Sequence, residues 1–481
     1  MGFSGSAVKD FAEAPLGRLL FKCSWPALIA MSLNALYAVV DRTFIGYGCG
    51  VDSIAGLTLA MPIVMLFGAV GVLIGAGHSA TLSVKLGAGD RVACEKLVGQ
   101  LVAFKLLFFL TIVPLVYWQL DWILGLCGAD RVTPQACSEA RTYLRIVLFA
   151  HIFSHLSFGL SAMQRAEGSP VRSMFCMVVG FGLNLILDPI FIFGFRMGIA
   201  GAAWATNIAM FCSCLWALSG YWRKRTIVRF RLRRIGFYPN LLVKPLGIGL
   251  APFLQQLMSS VIAAALTATF TRWMPDVASR TAQIASVGVF YAVLILVMMP
   301  IMGAQQGLQP IIGYNWGARN FDRVRRILLL GLGVTTVLTF IAWVVQVVPP
   351  FPRLMARLFI SADKAAMVDL AAHDLQLSNC MIWCISINLV SSTYFQSVGK
   401  PMTAIVLSLL RQCVFLLPVI MFLPYFMDDK PLAIWLSMPI SDVACCLFSC
   451  VPLWLHTRFL FRLHKRVDVR REKYDLAGSN Q

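Results

Sequence analysis

Residues 25–46 read WPALIAMSLNALYAVVDRTFIG, an apolar stretch with a single acidic residue, Asp41, near its end. Residues 178–193, VVGFGLNLILDPIFIF, repeat this arrangement around Asp188. A helix needs about 20 apolar residues to cross a hydrocarbon layer of ~30 Å. A carboxylate inside that layer is costly and usually marks a path for protons or ions. The two stretches therefore predict membrane helices and indicate transport.

The composition of the whole chain excludes a soluble globular protein. Of 481 residues, 59% are hydrophobic and 13% are charged, and the mean hydropathy is +0.76. Twelve stretches are long and apolar enough to span a membrane. They lie near residues 24–45, 54–84, 97–118, 141–162, 172–194, 198–222, 245–271, 281–313, 327–349, 374–397, 402–426 and 431–457.

Basic residues are concentrated on one side of the predicted membrane. The densest run is YWRKRTIVRFRLRRIGFYPNLLVK at 221–244, and a second cluster extends from Arg458 to Lys473. Cytoplasmic segments are enriched in Lys and Arg, so we expect both termini in the cytoplasm. The clusters favour contact with anionic lipid over nucleic acid. The first sixteen residues lack the pattern of a cleaved signal, so the first helix is expected to act as its own anchor.

The cysteines do not indicate a metal or redox site. Nearly all fourteen fall inside predicted helices, and none forms a paired CxxC motif in a loop. Adjacent or i, i+2 cysteines, such as Cys212 with Cys214 and Cys445 with Cys446, diverge on a helix. We therefore expect packing roles, with no metal and no organic cofactor.

An internal repeat divides the chain into two halves. KLGAGDRVACEKL at 85–97 is echoed by NWGARNFDRVRRIL at 315–328, and AMQRAEGSPVRSM at 162–174 by YFQSVGKPMTAI at 394–405. An even number of spans per half gives both halves the same orientation, with a substrate path between them. We predict a bundle of six helices at 1–222, a basic cytoplasmic linker at 223–244, a second six-helix bundle at 245–457 and a basic cytoplasmic tail at 458–481.

Polar residues of three helices in the first half are expected at similar depth. Asp41 and Asp188 each lie sixteen residues along outward-going helices, roughly 24 Å at 1.5 Å per residue. Thr206 lies near that level on the returning sixth helix. Tyr37 is four residues before Asp41 and Asn184 four before Asp188, so each pair shares a helix face.

Two chemical consequences follow. Pro189 has no N–H for the carbonyl of Leu185, so the fifth helix is expected to bend beside the carboxylate. Two neighbouring carboxylates in low dielectric favour binding a proton. We expect protonation of Asp41 or Asp188 to move the first helix and to displace a cationic substrate. The alternative is that Arg42 merely neutralises Asp41.

Several sequence motifs resemble those of a known family. The chain is similar to the multidrug and toxic compound extrusion (MATE) transporters over essentially its whole length. The motifs are ALYAVVDRTFIG at 35–46, VKLGAGD at 84–90, QRAEGSPVRSM at 164–174, LNLILDPIFIFGFRMGIAGAAWAT at 183–206 and GAQQGLQPIIGYNWGARN at 303–320. The resemblance implies a V of two six-helix bundles and export of amphipathic, often cationic compounds against inward proton or sodium flow.

The resemblance also implies a coupling site in the first half. The matching positions are Tyr37, Asp41, Asn184, Asp188 and Thr206. Some family members carry further coupling acids on the seventh and tenth helices. Here the seventh helix has Gln255 and Gln256, and the acid on the tenth, Asp374, lies near its outer end. This departure favours coupling in the first half and protons over sodium.

Other polar residues give weaker signals. Flexible side chains suited to varied ligands are predicted to line the cleft, namely Gln255, Gln256, Gln305, Gln306, Gln309, Met298 and Met302. The sequence does not assign roles to His78, His151, His155, Arg145 or Arg411.

The predicted function is secondary active multidrug export across a bacterial plasma membrane, with organic cations and the lipid bilayer as partners and no enzyme activity. One alternative is a flippase for lipid-linked oligosaccharides, which would need several cationic residues in its cleft for a pyrophosphate. A more remote one is a membrane-embedded transferase, which would need a cluster of acids near an interface. Asp428 and Asp429 stand without further acids nearby. The oligomeric state is not determined.

Overall fold

The computed structural model describes residues 6–223, 226–360 and 364–478, almost entirely as helix. In this described part, eleven helices are long and apolar enough to cross a membrane, and a twelfth crossing is made of shorter pieces. We number the crossings α1 to α12. The first six are α1 Leu16–Cys49, α2 Val51–Gly87, α3 Arg91–Trp118, α4 Pro134–Ala166, α5 Pro170–Pro189 and α6 Ile199–Trp222.

The second six follow the basic linker. They are α7 Val243–Trp273, α8 Val277–Gly317, α9 Phe321–Val347, α10 in the pieces Ala365–Asn379, Ile382–Cys384 and Ile385–Ser397, α11 in the pieces Pro401–Leu409, Leu410–Leu416 and Leu417–Phe422, and α12 Lys430–Gly478. The second bundle thus begins at Val243, two residues before the predicted start. α12 continues through most of the segment predicted as a separate tail.

The two halves use corresponding residues to turn the chain. Asp90 caps α3 and Asn320 caps α9, each accepting a hydrogen bond from the backbone N–H three residues on, at 3.0 and 3.3 Å. The residues just before them, Gly89 and Arg319, both have left-handed backbone, with φ of 75° and 59°. Each pair is separated by 230 residues, so the sequence repeat corresponds to a repeat of backbone geometry.

The apolar cores show where the halves join. We call the end containing residues 88–90, 167–169, 226–242 and 318–320 the linker end, and the other the far end. At the linker end one core combines both halves, with Leu82 and Leu86 of α2 and Leu308 and Ile311 of α8. At the far end each half has its own separate core. The halves therefore form a V that is closed at the linker end.

A reciprocal glycine contact between α2 and α8 allows this close approach. A Cβ atom added to Gly87 would lie 1.9 Å from the carbonyl oxygen of Tyr314, and one added to Gly317 would lie 2.0 Å from that of Val84. Real Cβ atoms do not approach so closely, so only glycine fits at these two positions. Both glycines belong to the repeated sequence motif. The motif therefore marks the place where the two halves touch.

Candidate functional site

Two buried carboxylates meet between α1 and α5. The side chain of Asp41 is 8% exposed and that of Asp188 is fully buried. They lie in hydrogen-bonding contact with each other. Oδ1 of Asp188 has no hydrogen-bond partner among the residues that the structure describes. Two carboxylate oxygens are both acceptors, so a proton or a cation is needed to join them.

Asn184 links this pair to α6. The amide satisfies its neighbours when Nδ2 donates to Oδ2 of Asp188 at 2.9 Å and Oδ1 accepts from Oγ1 of Thr206 at 3.1 Å. Thr206 also lies within 3.0 Å of the carbonyl oxygen of Ala202, one turn earlier on its own helix. The structure therefore brings α1, α5 and α6 together through side chains that the sequence had placed at similar depth.

Two tyrosines complete the site. The hydroxyl of Tyr37 lies near Thr206, and its ring stacks on Phe181 with 5.1 Å between centroids. Tyr143 of α4 is 7% exposed and lies near both Asp41 and Asp188. Sequence reasoning missed Tyr143. It stands between Arg141 and Arg145 in a stretch that carries no motif, so only its position in the folded bundle identifies it.

The helix beside Asp188 changes type immediately after it. α5 is α-helical through Pro189, and Ile190–Gly194 forms a π-helical turn in which Phe195 N donates to the carbonyl oxygen of Ile190 at 2.9 Å. Proline removes one backbone donor, which favours irregular hydrogen bonding nearby. The expected disturbance at Pro189 thus takes the form of a widened turn.

Arg42 does not occupy the carboxylate site. Its side chain is exposed, whereas Asp41 is buried and turned towards Asp188. Arg42 interacts with Asp41 through its charge. The packing therefore favours Asp188 over Arg42 as the principal partner of Asp41.

The MatE family model matches residues 26–190 and 253–422, more than half of the chain and parts of both bundles. The chain belongs to the MatE family. It is thus a multi-pass membrane transporter, and the predicted family and the predicted fold of twelve helices in two bundles are confirmed.

Named relatives of this MatE transporter cover nearly its full length. "Multidrug export protein MepA" of Staphylococcus aureus is 25% identical over 453 residues, which is 92% of this chain and 95% of the relative. The protein of the same name from Staphylococcus saprophyticus is 24% identical over 445 residues, with the same shares covered.

Solved structures share the fold. The MATE multidrug transporter DinF-BH is 30% identical and has a TM-score of 0.82, covering 92% of this chain and 96% of that one. A multidrug resistance MATE family transporter in an outward-facing conformation is 22% identical, has a TM-score of 0.86 and covers 96% and 99% of the two chains.

The residues predicted to line the cleft of this MatE protein divide into separate environments. Gln305 is buried and donates to Thr335 Oγ1 of α9 at 3.0 Å, inside the second half. Gln306 instead points across the junction, with Nε2 3.2 Å from the sulfur of Met31. Gln256 and Met302 are exposed. The half-buried residues are Gln255, Gln309 and Met298.

Sulfur-containing side chains form a cluster on the linker-end side of the carboxylate site. Met31, Met174, Met177 and Met210 form a small apolar cluster in the first half. Partly buried side chains packed against it include Tyr37 from the site and Met299 from the second half. This cluster lies at the junction of the halves, and the sequence had assigned only the methionines of α8 to such a role.

Charged groups in the second half have partners of their own. Arg411 of α11 donates from Nε to Oδ1 of Asp442 on α12 at 2.6 Å. Asp374 is buried and accepts from Ser286 Oγ at 2.6 Å. Of the positions left open by the sequence, Arg411 is thus paired and Arg145 is exposed.

The three histidines left open by the sequence lie in the first half. His78 and His155 are buried, and the rings of His151 and His155 meet edge to face with 5.6 Å between centroids. Nδ1 of His78 lies 2.8 Å from the carbonyl oxygen of Ile74. Among the described residues, no group of three or more His, Cys, Asp or Glu side chains could hold a metal ion.

Proposed function

We propose that this MatE transporter exports amphipathic or cationic organic compounds in exchange for protons that bind at the pair Asp41 and Asp188. The observation that carries this proposal is the contact between the two carboxyl groups, in which Oδ1 of Asp188 has no donor within the described residues. A proton bound between the two carboxylates would supply that missing donor. The names of the relatives, which refer to multidrug export, support the substrate class.

Protons fit the donor set better than sodium. Sodium would need several oxygen ligands, and the amide oxygen of Asn184 is engaged with Thr206 while its Nδ2 donates to Asp188. The oxygen ligands that remain for sodium are therefore mainly those of the two carboxylates. A single proton needs only the two facing oxygens that are already in contact.

The charge of the carboxylate pair links ion binding to movement of α1 and α5. Without a proton, two negative charges are held together in low dielectric and attract a cationic substrate. Binding one proton removes one of these charges and joins α1 to α5 through a hydrogen bond. The π-helical turn at Ile190–Gly194 gives α5 an adjustable segment next to this bond. Substrate and proton thereby compete for the same half of the protein.

The direction of transport follows from the orientation of the V. The basic linker lies at the closed end, and the positive-inside rule places such segments in the cytoplasm. We therefore assign the linker end to the cytoplasm and the far end to the exterior. In this orientation the protein is open outwards, the state in which substrate leaves and protons enter.

The first test is efflux of a fluorescent organic cation from liposomes containing the purified protein. A pH gradient and a sodium gradient are imposed separately on the unaltered protein, Asp41→Asn and Asp188→Asn. Asp374→Asn is the matched control, because it neutralises a buried acid of the other half. We expect the pH gradient to drive efflux in the unaltered protein and in the control, and both other variants to lose it.

Each result has a distinct meaning. Efflux driven only by sodium would reject the proton and keep the site. Full efflux by both Asp41→Asn and Asp188→Asn would reject the site. Absence of cation transport under either gradient would reject export of organic cations and favour the flippase alternative.

A further inference from the structure

Lys105 of α3 is a fully buried lysine in the middle of a membrane-spanning helix. It lies roughly 21 Å along α3 from the first residue of that helix, at 1.5 Å per residue. Its Nζ donates to the carbonyl oxygen of Gly71 on α2 at 3.2 Å. Among the residues that the structure describes, no ion pair joins Lys105 to a carboxylate. Proton binding at Asp41 and Asp188 gives this amine no role.

Glycines of α2 and α4 make room for Lys105. A Cβ atom added to Gly159 of α4 would lie 2.6 Å from Cε of Lys105. One added to Gly75 of α2 would lie 3.6 Å from Cα of Gly159, so the two helices cross closely here. One added to Gly71 would lie 3.2 Å from Nε2 of His155 on α4. The amine of Lys105 and the ring of His155 are therefore both packed against Gly71.

Two imidazoles beside Lys105 each have a ring nitrogen without a partner. His78 of α2 is fully buried, and its Nδ1 lies 2.8 Å from the carbonyl oxygen of Ile74. A carbonyl oxygen only accepts, so Nδ1 carries the hydrogen and Nε2 of the neutral ring is an acceptor. Nε2 of His78 and Nε2 of His155 have no hydrogen-bond partner among the described residues. Both rings lie near Lys105.

The surroundings of these three groups are mainly apolar. Aromatic rings cover both imidazoles, with 5.8 Å between the centroids of His78 and Phe104 and 5.5 Å between those of His155 and Phe108. The ring of His151 on α4 lies 5.6 Å from that of His155 and is a further titratable group at this place. Within the described structure, the helices packed around the three groups bring no carboxylate near them.

The amine and the imidazoles can hold one proton in common. With that proton, the ammonium of Lys105 donates to Gly71 and has further N–H groups for an imidazole nitrogen. Without it, the amine and both imidazoles are neutral. A buried charge is costly unless a counterion fixes it, and no carboxylate does so here. The charge of the cluster can therefore change.

We propose that Lys105, His78 and His155 form a second proton-binding site of the first half, separate from the carboxylate pair. The amine comes from α3 and the imidazoles come from α2 and α4, so gain or loss of the proton changes the contact among three helices where they cross. This site is independent of the ion that binds at Asp41 and Asp188. It gives a role to two of the histidines that the sequence left open.

The test uses the full-length protein in nanodiscs and follows its imidazoles by nitrogen NMR. The six histidines are isotope-labelled, and His78→Asn and His155→Asn assign the two signals. Spectra are recorded from about pH 4 to about pH 9, the range in which imidazoles and perturbed amines titrate. The test variant is Lys105→Met, which keeps most of the side-chain length and removes the amine. The matched control is Lys96→Met, which removes an amine of the same helix that lies over the ring of Tyr238.

In the unaltered protein we expect the Nε2 signals of His78 and His155 to shift at a common midpoint, because the two rings share one proton. Lys105→Met should move this midpoint by at least about one pH unit, which is about a tenfold change in proton affinity. Lys96→Met should leave the midpoint in place. Lys105→Gln gives the same comparison should Lys105→Met fail to fold.

Three results would overturn the proposal. Signals that do not shift over this range would show that the cluster binds no proton. A midpoint that Lys105→Met and Lys105→Gln leave unchanged would remove the lysine from the site. Loss of the midpoint in Asp41→Asn with Asp188→Asn would show that the two sites are not separate. The measurement does not depend on efflux, so a failure of proton-driven export would leave its outcome unchanged.

Discussion

The two halves of this transporter share a backbone plan, but the pair Asp41 and Asp188 of the first half and Asp442 of the second half have different partners. In the first half, Asp41 and Asp188 face each other, and one oxygen has no donor in the described structure. In the second half, Asp442 is 1% exposed and lies 2.6 Å from the guanidinium of Arg411. The positions 230 and 231 residues after the first two acids are Thr271 and Val419, so neither acid is repeated.

This difference separates two uses of a buried carboxylate. An acid with a permanent guanidinium partner is neutralised without a proton, and its role is to hold helices together. Two acids with no such partner must bind a proton or another cation, so their charge can change during a transport cycle. The two halves thus share a similar frame, and the exchangeable site that we propose lies in the first.

The largest expected effect comes from giving the first half a permanent counterion like that of the second. Thr206→Lys places an ammonium group beside Asn184 and within reach of Asp188. We expect the pair to be neutralised without a proton and efflux driven by a pH gradient to fall at least about 100-fold, since a fixed charge replaces the exchangeable one. Thr206→Met, of similar length and uncharged, is the control and should retain most of the efflux. Equal activity of the two variants would contradict the comparison.

The next effect concerns the contact that the halves share. Gly317→Val would bring side-chain atoms against the carbonyl oxygen of Val84, since even a Cβ would lie only 2.0 Å away. We expect the closed linker end to loosen, with faster hydrogen exchange in the linker-end turns of α2 and α8 and slower efflux. Gly333→Val is the control, because the space beside Gly333 is open. Unchanged exchange in Gly317→Val would show that the α2–α8 crossing is not needed for closure.

The ion pair of the second half should affect stability more than transport. Asp442→Asn leaves the guanidinium of Arg411 without its counterion, and such a change costs about 3–5 kcal/mol. Replacing both partners, Arg411→Met with Asp442→Leu, should restore most of the thermal stability in detergent and keep pH-driven efflux. Loss of efflux in a stable double variant would mean that the second half also takes part in coupling.

The smallest expected effect is on the support of the carboxylate pair. Tyr37→Phe removes the hydroxyl that lies near Thr206 but keeps the ring stacked on Phe181. Loss of one polar contact of this kind costs about 1 kcal/mol, so we expect efflux to fall about fivefold. The matched variant Phe181→Leu removes the stacked ring and keeps the hydroxyl. A larger loss in Phe181→Leu than in Tyr37→Phe would indicate that ring packing, rather than the hydroxyl, positions the site.

The residues predicted to line the cleft show what the sequence does not determine, namely which side of a helix faces the other half. Gln305 and Gln306 are neighbours in the sequence, yet one is buried against Thr335 and the other reaches Met31 of the opposite half. Adjacent residues on a helix point about 100° apart, so only the rotation of α8 decides which of them faces the junction. Tyr143 was missed for the same reason, because nothing in its local sequence records that it lies near Asp41 and Asp188.

The sequence by itself determined the membrane class, the number of crossings, the repeat and the family, since these depend on hydrophobic length and on local motifs that survive without neighbours. It also predicted that Asp41, Asp188 and Thr206 lie at similar depth, because distance along a helix is fixed at 1.5 Å per residue, and that Tyr37 and Asn184 share helix faces with the two acids. Only the tertiary structure decided that Arg42 lies outside, that Asp442 pairs with Arg411, and that the linker packs on α3 with Arg234 beside Glu95. Those outcomes depend on the rotation and packing of separate helices, which no single stretch of sequence specifies.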